Sequence, residues 1–167
     1  MSIDNEKIVT SNLTGGLGNY LFQIAAAYAY GLKYGYKPIF KPQESNAAHR
    51  SIEVYFDNIL RNIELAYGPT RHEYHVEKGF HYTEVPNYEN YQSMPNRGNG
   101  VYFNGYFQSS KYFEGFDKEI KELFSCDENT KLKIFSKHPK FKTKEIATCA
   151  IHVRRGDYVG LQNIHPV

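Results

Sequence analysis

The sequence contains no tryptophan and only two cysteines, Cys126 and Cys149. Two thiols are too few for a disulfide framework and match no metal-ligand spacing, so reduced thiols in a cytoplasmic protein are expected. The chain opens without a basic cluster leading into an apolar segment, which argues against a signal peptide. No uninterrupted apolar run approaches the roughly 20 residues that span a bilayer. Asn12-Leu13-Thr14 fits a glycosylation sequon, but with no sign of secretion it reads as a chance match. An excess of one charge is also missing: 20 basic and 18 acidic residues leave a net charge of +2, spread along the chain. No general attraction to nucleic acid or membrane follows, and any anion site must be local.

Several catalytic signatures are absent too. Gly16-Leu17-Gly18 lacks the third glycine of the dinucleotide fingerprint and is followed by no Walker lysine, so neither a nicotinamide nor an ATP site is indicated. No glycine-flanked serine of the nucleophile-elbow type occurs. His72, His75 and His81 hint at a metal, but the first two are three residues apart where the two-histidine helix motif needs four. There is no Asp-x-Asp triplet. No metal or cofactor is therefore expected.

What is present is an ordinary globular composition: 41% hydrophobic and 23% charged residues over 167 positions, enough to bury a sizeable core. The aromatics are 15 Tyr and 11 Phe, and tyrosine suits surfaces apolar on one side and wet on the other, such as sugar clefts and protein interfaces.

Residues 8–13 read as a strand, 14–18 as a glycine turn, and 19–34 as a helix with Leu21, Phe22, Ile24, Ala25, Tyr28, Ala29 and Leu32 on its apolar face and Gly35 at its end. A strand over 37–40, a helix over 51–65, extended chain over 72–85 and a loop over 86–100 follow. A strand over 101–107 precedes a helix capped by Ser109 or Ser110 and running to 124, then one capped by Asp127 through 137. The basic stretch KHPKFKTK comes next, as a solvated connector or an anion-attracting rim, and 146–153 reads as an apolar strand. This order predicts an α/β domain with parallel strands.

In such sheets ligands bind beyond the carboxyl ends of strands, which marks the turn from Thr14 to Asn19 and the stretch from Arg154 to Asp157 as candidate site loops. Alternation puts His152 and Arg154 on one strand face and turns Arg155 away, so the two arginines should do different jobs. Guanidinium holds phosphate through paired hydrogen bonds, and Asp157 could orient one of the two. A strand-end ion pair with no ligand is the competing reading. For the glycine turn, the competing reading is a tight turn that needs glycine only for its backbone angles; helix N-terminal amides there could instead meet an anion or a sugar hydroxyl.

Together, TGGLGNYLFQIAAAYAYGLKYG, NGYFQSSKYF and IHVRRGDYV resemble the alpha-1,2-fucosyltransferases of glycosyltransferase family 11. Gly16, Leu17, Gly18, Asn19, Phe22 and Gln23 match near the N-terminus, with Tyr20 where the family has glutamine. His152, Arg154, Arg155, Asp157 and Tyr158 match the C-terminal motif, whose arginine in related enzymes holds the diphosphate of GDP-fucose. The resemblance implies a metal-independent GT-B fold of two facing α/β domains and inverting transfer of L-fucose from GDP-fucose to the 2-hydroxyl of a galactoside. Arg154, Arg155 and Asp157 would be catalytic, while Gly16, Gly18, Asn19, Gln23, Tyr106, Gln108, His152 and Tyr158 would bind substrate. The general base is not identified, since Asp157 could equally orient an arginine.

Family members continue well past this motif. The expected organisation is an N-terminal α/β domain over 1–136, the basic connector over 137–145, and over 146–167 only the first strand and diphosphate motif of a second, truncated domain. A cytoplasmic location is expected, with peripheral membrane association allowed by the membrane-linked glycans on which the family often acts. Two rival readings are a non-catalytic carbohydrate-binding remnant and a nucleic-acid binder built on KHPKFKTK and the paired arginines; the even charge disfavours the second.

Overall fold

The computed structural model describes residues 6–41, 52–66, 72–88, 100–143, 147, 149 and 151. It is an α/β structure built on a four-stranded, wholly parallel sheet in the order β2-β1-β4-β3. The strands are β1 (Ile8–Ser11), β2 (Lys37–Pro38), β3 (His72–Val76) and β4 (Gly100–Asn104). β1 pairs with β2 from Ile8 opposite Lys37, and with β4 from Ile8 opposite Gly100; β3 pairs with β4 from His72 opposite Gly100. All four residues of β1 are buried, as expected of a central parallel strand covered on both faces.

Helix α1 (Leu17–Tyr34) crosses from β1 to β2 and ends at Gly35, which takes the left-handed conformation at φ 70°. Its buried face meets the sequence expectation in part: Ile24, Ala25 and Ala29 are buried as expected, and the others differ. Tyr20, Gln23, Ile24, Ala27, Tyr30 and Gly31 are buried, whereas Leu32 is exposed and Leu21, Phe22 and Tyr28 are only partly covered. Size explains the rotation: the run of alanines lets the helix lie close to β1 and β2, and the large rings of Tyr20 and Tyr30 join Val9 and Phe103 in one core.

The helix expected over 51–65 is a short 3-10 turn (Ile52–Tyr55) followed by irregular turns. Asn58 accounts for the break: its side-chain amide donates to the Val54 carbonyl at 3.0 Å, while its carbonyl oxygen accepts from the Ile59 N–H at 2.6 Å. Asparagine competing in this way for backbone groups disfavours a continuous helix. Leu60 and Ile52 still reach the core. The extended stretch expected over 72–85 keeps strand pairing only through Val76, and β4 ends at Asn104 rather than at Phe107.

The helix expected from Ser109 or Ser110 to 124 is two pieces. Ser109 caps a 3-10 turn (Ser110–Phe113), and Gly115 at φ 86° separates it from α2 (Asp117–Leu123). Contacts divide the chain into Met1–Cys126 and Asp127–Val167. The second unit opens with α3 (Glu128–Lys137), capped as expected by Asp127, whose carboxylate accepts from the Thr130 N–H at 2.9 Å and the Thr130 hydroxyl at 2.7 Å. A 3-10 turn (Pro139–Lys142) occupies the basic stretch. Of the strand expected over 146–153, Ala147, Cys149 and Ile151 are described; they are exposed and without regular structure.

Candidate functional site at the carboxyl ends of β1 and β4

β1 and β4 are adjacent, yet the chain leaves β1 toward β2 on one side and reaches β4 from β3 on the other. Connections therefore part between these two strands, and the crevice beyond their carboxyl ends is where open parallel sheets hold ligands. The loops that emerge there are Asn12 to Gly16, which overlaps the turn marked from Thr14 to Asn19, and Gly105 to Gln108, which lies in the NGYFQSSKYF motif and mostly within the strand expected over 101–107.

Three amide side chains tie this region together. Gln23 is fully buried; its side-chain oxygen accepts from the Thr14 N–H at 3.0 Å, and its amide nitrogen donates to the Gly105 carbonyl at 3.0 Å. Expected among the substrate contacts, Gln23 spends both amide groups on backbone and has no exposed surface, so its role here is to position the loops. Above it, the Gln108 amide nitrogen donates to the Asn19 side-chain oxygen at 2.7 Å, and this pair is exposed. The remaining hydrogen-bonding group of each amide is thus available to a hydroxyl-bearing ligand.

The glycines of the turn divide by role. Gly15 needs to be glycine: it sits at φ 88°, and a Cβ there would collide with the Asn19 side chain. Gly16 and Gly18 have ordinary backbone angles, and a Cβ on either would meet nothing within 4 Å. The tight-turn explanation therefore covers Gly15 alone. Glycine in a helix's first turn costs roughly 0.5–1 kcal/mol against alanine, and at Gly18 neither packing nor conformation accounts for it. Gly16 caps α1 without any side-chain hydrogen bond, so the first-turn amides face this open space uncapped by side chains.

Tyr20, the departure from the family pattern, is buried beneath α1. Desolvation by burial, and secondarily the neighbouring Tyr55, push its hydroxyl pKa up. It serves the core and leaves the crevice to Asn19.

A residue that the sequence reading passed over organises the second loop. The Glu77 carboxylate accepts from the Tyr106 and Phe107 N–H groups, both at 2.8 Å, and from the Tyr112 hydroxyl at 3.1 Å. It lies directly under Gly105, where a Cβ would approach the Glu77 Cβ to 2.5 Å. The clamp holds Phe107 at φ 52°, the left-handed region that a bulky side chain rarely adopts, and buries the Phe107 ring completely. The signal for Glu77 lay in no motif, only in an acidic residue just past a strand end.

His75, raised in the sequence as a metal candidate, packs its ring against Phe103, Phe107 and Tyr88, with Nδ1 3.0 Å from the Tyr88 hydroxyl. Its Nε2 is buried without a partner, and burial lowers its pKa, opposed by the nearby Glu77. Among the described residues no group of three His, Cys, Asp or Glu side chains could hold a metal ion, and no helix is long and apolar enough to cross a membrane. A separate pocket of about 70 Å³ lies along the later turns of α1, walled by Tyr30, Tyr34, Tyr82 and Tyr112.

His152, Arg154, Arg155, Asp157 and Tyr158 lie outside the described residues. The structure thus brings Gly16, Gly18, Asn19, Tyr106 and Gln108 to one crevice, over a base made by Gln23. Comparison with family models, curated proteins and solved structures found no match to this chain.

Proposed function

We propose that the Met1–Cys126 unit is the acceptor-side half of an inverting, metal-independent fucosyltransferase of GT-B architecture, with GDP-fucose as donor and a galactoside as acceptor. The observation that carries the reading is the exposed Asn19–Gln108 amide pair, which joins two of the three motif segments at the carboxyl edge of a parallel sheet. A sugar acceptor presents hydroxyls that both donate and accept, and paired amides supply both complements.

In this reaction the acceptor 2-hydroxyl oxygen attacks the anomeric carbon of fucose from the face opposite the diphosphate. The bond from anomeric carbon to phosphate oxygen breaks, its electron pair leaves with GDP, and the hydroxyl proton passes to a general base. Arg154 and Arg155 would neutralise the charge that grows on the diphosphate, with Asp157 orienting one of them and His152 and Tyr158 beside them. Asn19 and Gln108 would orient the acceptor, since amides do not take up protons at neutral pH. Glu77 is already engaged by three donors and is not the base.

The test is titration of the full chain with GDP and GDP-fucose by calorimetry, with product analysis for fucosyl transfer to lactose. The reading expects saturable GDP binding that Arg154→Ala and Arg155→Ala each weaken on the order of tenfold or more, the loss of charge-assisted hydrogen bonds. Absence of GDP binding, or equal binding by both variants, overturns it. A second reading, a carbohydrate-binding protein without turnover, is favoured by the engagement of Glu77; galactoside binding with no affinity for GDP would establish it.

A further inference from the structure

Phe80 is 78% exposed, although covering a phenylalanine side chain ordinarily stabilises a protein substantially. It is nonetheless held in a defined position. Its ring stacks on Tyr106 with centroids 6.1 Å apart and planes inclined by 20°. The Glu77 carboxylate accepts the Tyr106 N–H at 2.8 Å, and Phe80 follows Glu77 by three residues in the chain. Tyr106 in turn stands two residues before Gln108, whose amide is bonded to Asn19. An exposed ring, Phe80, therefore stacks on the half-buried Tyr106 past the carboxyl ends of β3 and β4, and Tyr106 shares its loop with Gln108 of the exposed amide pair.

We infer that Phe80 and Tyr106 form a stacking platform for a pyranose ring, with Phe80 its outer, ligand-facing member. The inference rests on the acceptor reading above and deepens it by naming where the acceptor's apolar face lies. A galactoside has one face dominated by C–H groups and an edge of hydroxyls. A ring pair and an amide pair joined through the loop that carries Tyr106 and Gln108 match that division: aromatic carbon for the C–H face, amide donors and acceptors for the hydroxyls. Size separates this from a protein-docking surface. Each aromatic side chain buries about 150–250 Å², so two rings match a single sugar, whereas stable protein interfaces bury roughly 1,200–2,000 Å².

The absence of tryptophan supplies the experiment. Phe80→Trp places the sole indole of the full chain on the platform, at an exposed position that tolerates the larger ring. Titration with methyl β-galactoside and lactose is expected to shift and quench its emission in a saturable way, while methyl α-mannoside, with its different C–H face, gives a weaker response. Phe80→Ala, with unchanged circular dichroism, is expected to weaken galactoside binding by about five- to tenfold, measured by saturation-transfer NMR, the loss of one aromatic contact. Its affinity for GDP should stay that of the wild type.

Unchanged galactoside affinity in Phe80→Ala overturns the platform, as does an indole that responds to GDP but not to sugar, which would make it a nucleobase support. A galactoside response in a protein that binds no GDP leaves the platform standing while removing the transferase reading, so the two fail separately.

Discussion

Glu77 offers the sharpest test of how the second site loop is held. In Glu77→Ala the Tyr106 and Phe107 N–H groups and the Tyr112 hydroxyl lose their common acceptor. Charge-assisted hydrogen bonds contribute about 1.5–3 kcal/mol each when dry, and nearer 1 kcal/mol in a half-exposed loop such as this. The expected loss is about 3–4 kcal/mol, a large part of the ~5–15 kcal/mol that keeps a domain folded. Phe107 adds to it, because its φ of 52° is then held only by the Ser109 N–H on its carbonyl at 2.8 Å and by the packing of its ring. Glu77→Gln keeps one oxygen for the two amides but turns an NH2 toward Tyr112, whose hydroxyl already accepts from the Thr83 N–H at 3.2 Å and then has nowhere to donate. About half the loss should return. Urea unfolding followed by circular dichroism reads both variants, and amide hydrogen exchange at Tyr106 and Phe107 localises the effect. A Glu77→Ala change of under about 1 kcal/mol, or Glu77→Gln as damaging as Glu77→Ala, would refute the clamp.

Gln23→Leu removes the bridge between the loops while keeping volume; it should cost about 2–4 kcal/mol in urea unfolding, because the Thr14 N–H and Gly105 carbonyl lose partners. Gly15→Ala should destabilise by about 1–3 kcal/mol, from left-handed backbone and the collision with Asn19. Gly18→Ala should stabilise by about 0.5–1 kcal/mol yet weaken galactoside or GDP binding, and a variant that loses stability refutes the view that its space is kept for ligand. The lowered pKa of His75 means that the folded state resists the proton which the unfolded chain accepts. Its contribution is therefore complete above about pH 6.5 and declines as pH falls below that value. His75→Phe keeps the ring packing and should flatten the fall in urea midpoint between about pH 7.5 and 5.5; parallel slopes in the two proteins would count against it.

Local signals were legible where a single residue type dictates the outcome. β1, the glycine turn, the end of α1 at Gly35 and the Asp127 cap all follow from short-range rules: apolar runs, left-handed glycine, a carboxylate able to reach backbone N–H groups. The reading failed where two short-range tendencies competed. Helical spacing over 51–65 lost to the Asn58 side chain, and the run after Ser109 lost to Gly115, since periodicity counts apolar positions and not the backbone groups that a polar side chain or a positive φ removes. On α1 the burial of Ile24, Ala25 and Ala29 was legible, but Leu21, Phe22, Tyr28 and Leu32 were placed inward because a spacing rule favours large apolar residues, whereas close helix-to-sheet packing selects small ones.

The sequence by itself determined the α/β class, the parallel direction of the strands and the glycine turn after β1, because those depend on neighbours within a few residues. That Gln23 and Gly105 would meet, that Asn19 would find Gln108 across 89 positions, and that Glu77 would clamp the loop after β4 was decided only by the sheet order. Placing β4 directly beside β1 and β3 beyond it brings residues far apart in the chain within hydrogen-bond reach, and no local pattern encodes which strands become neighbours.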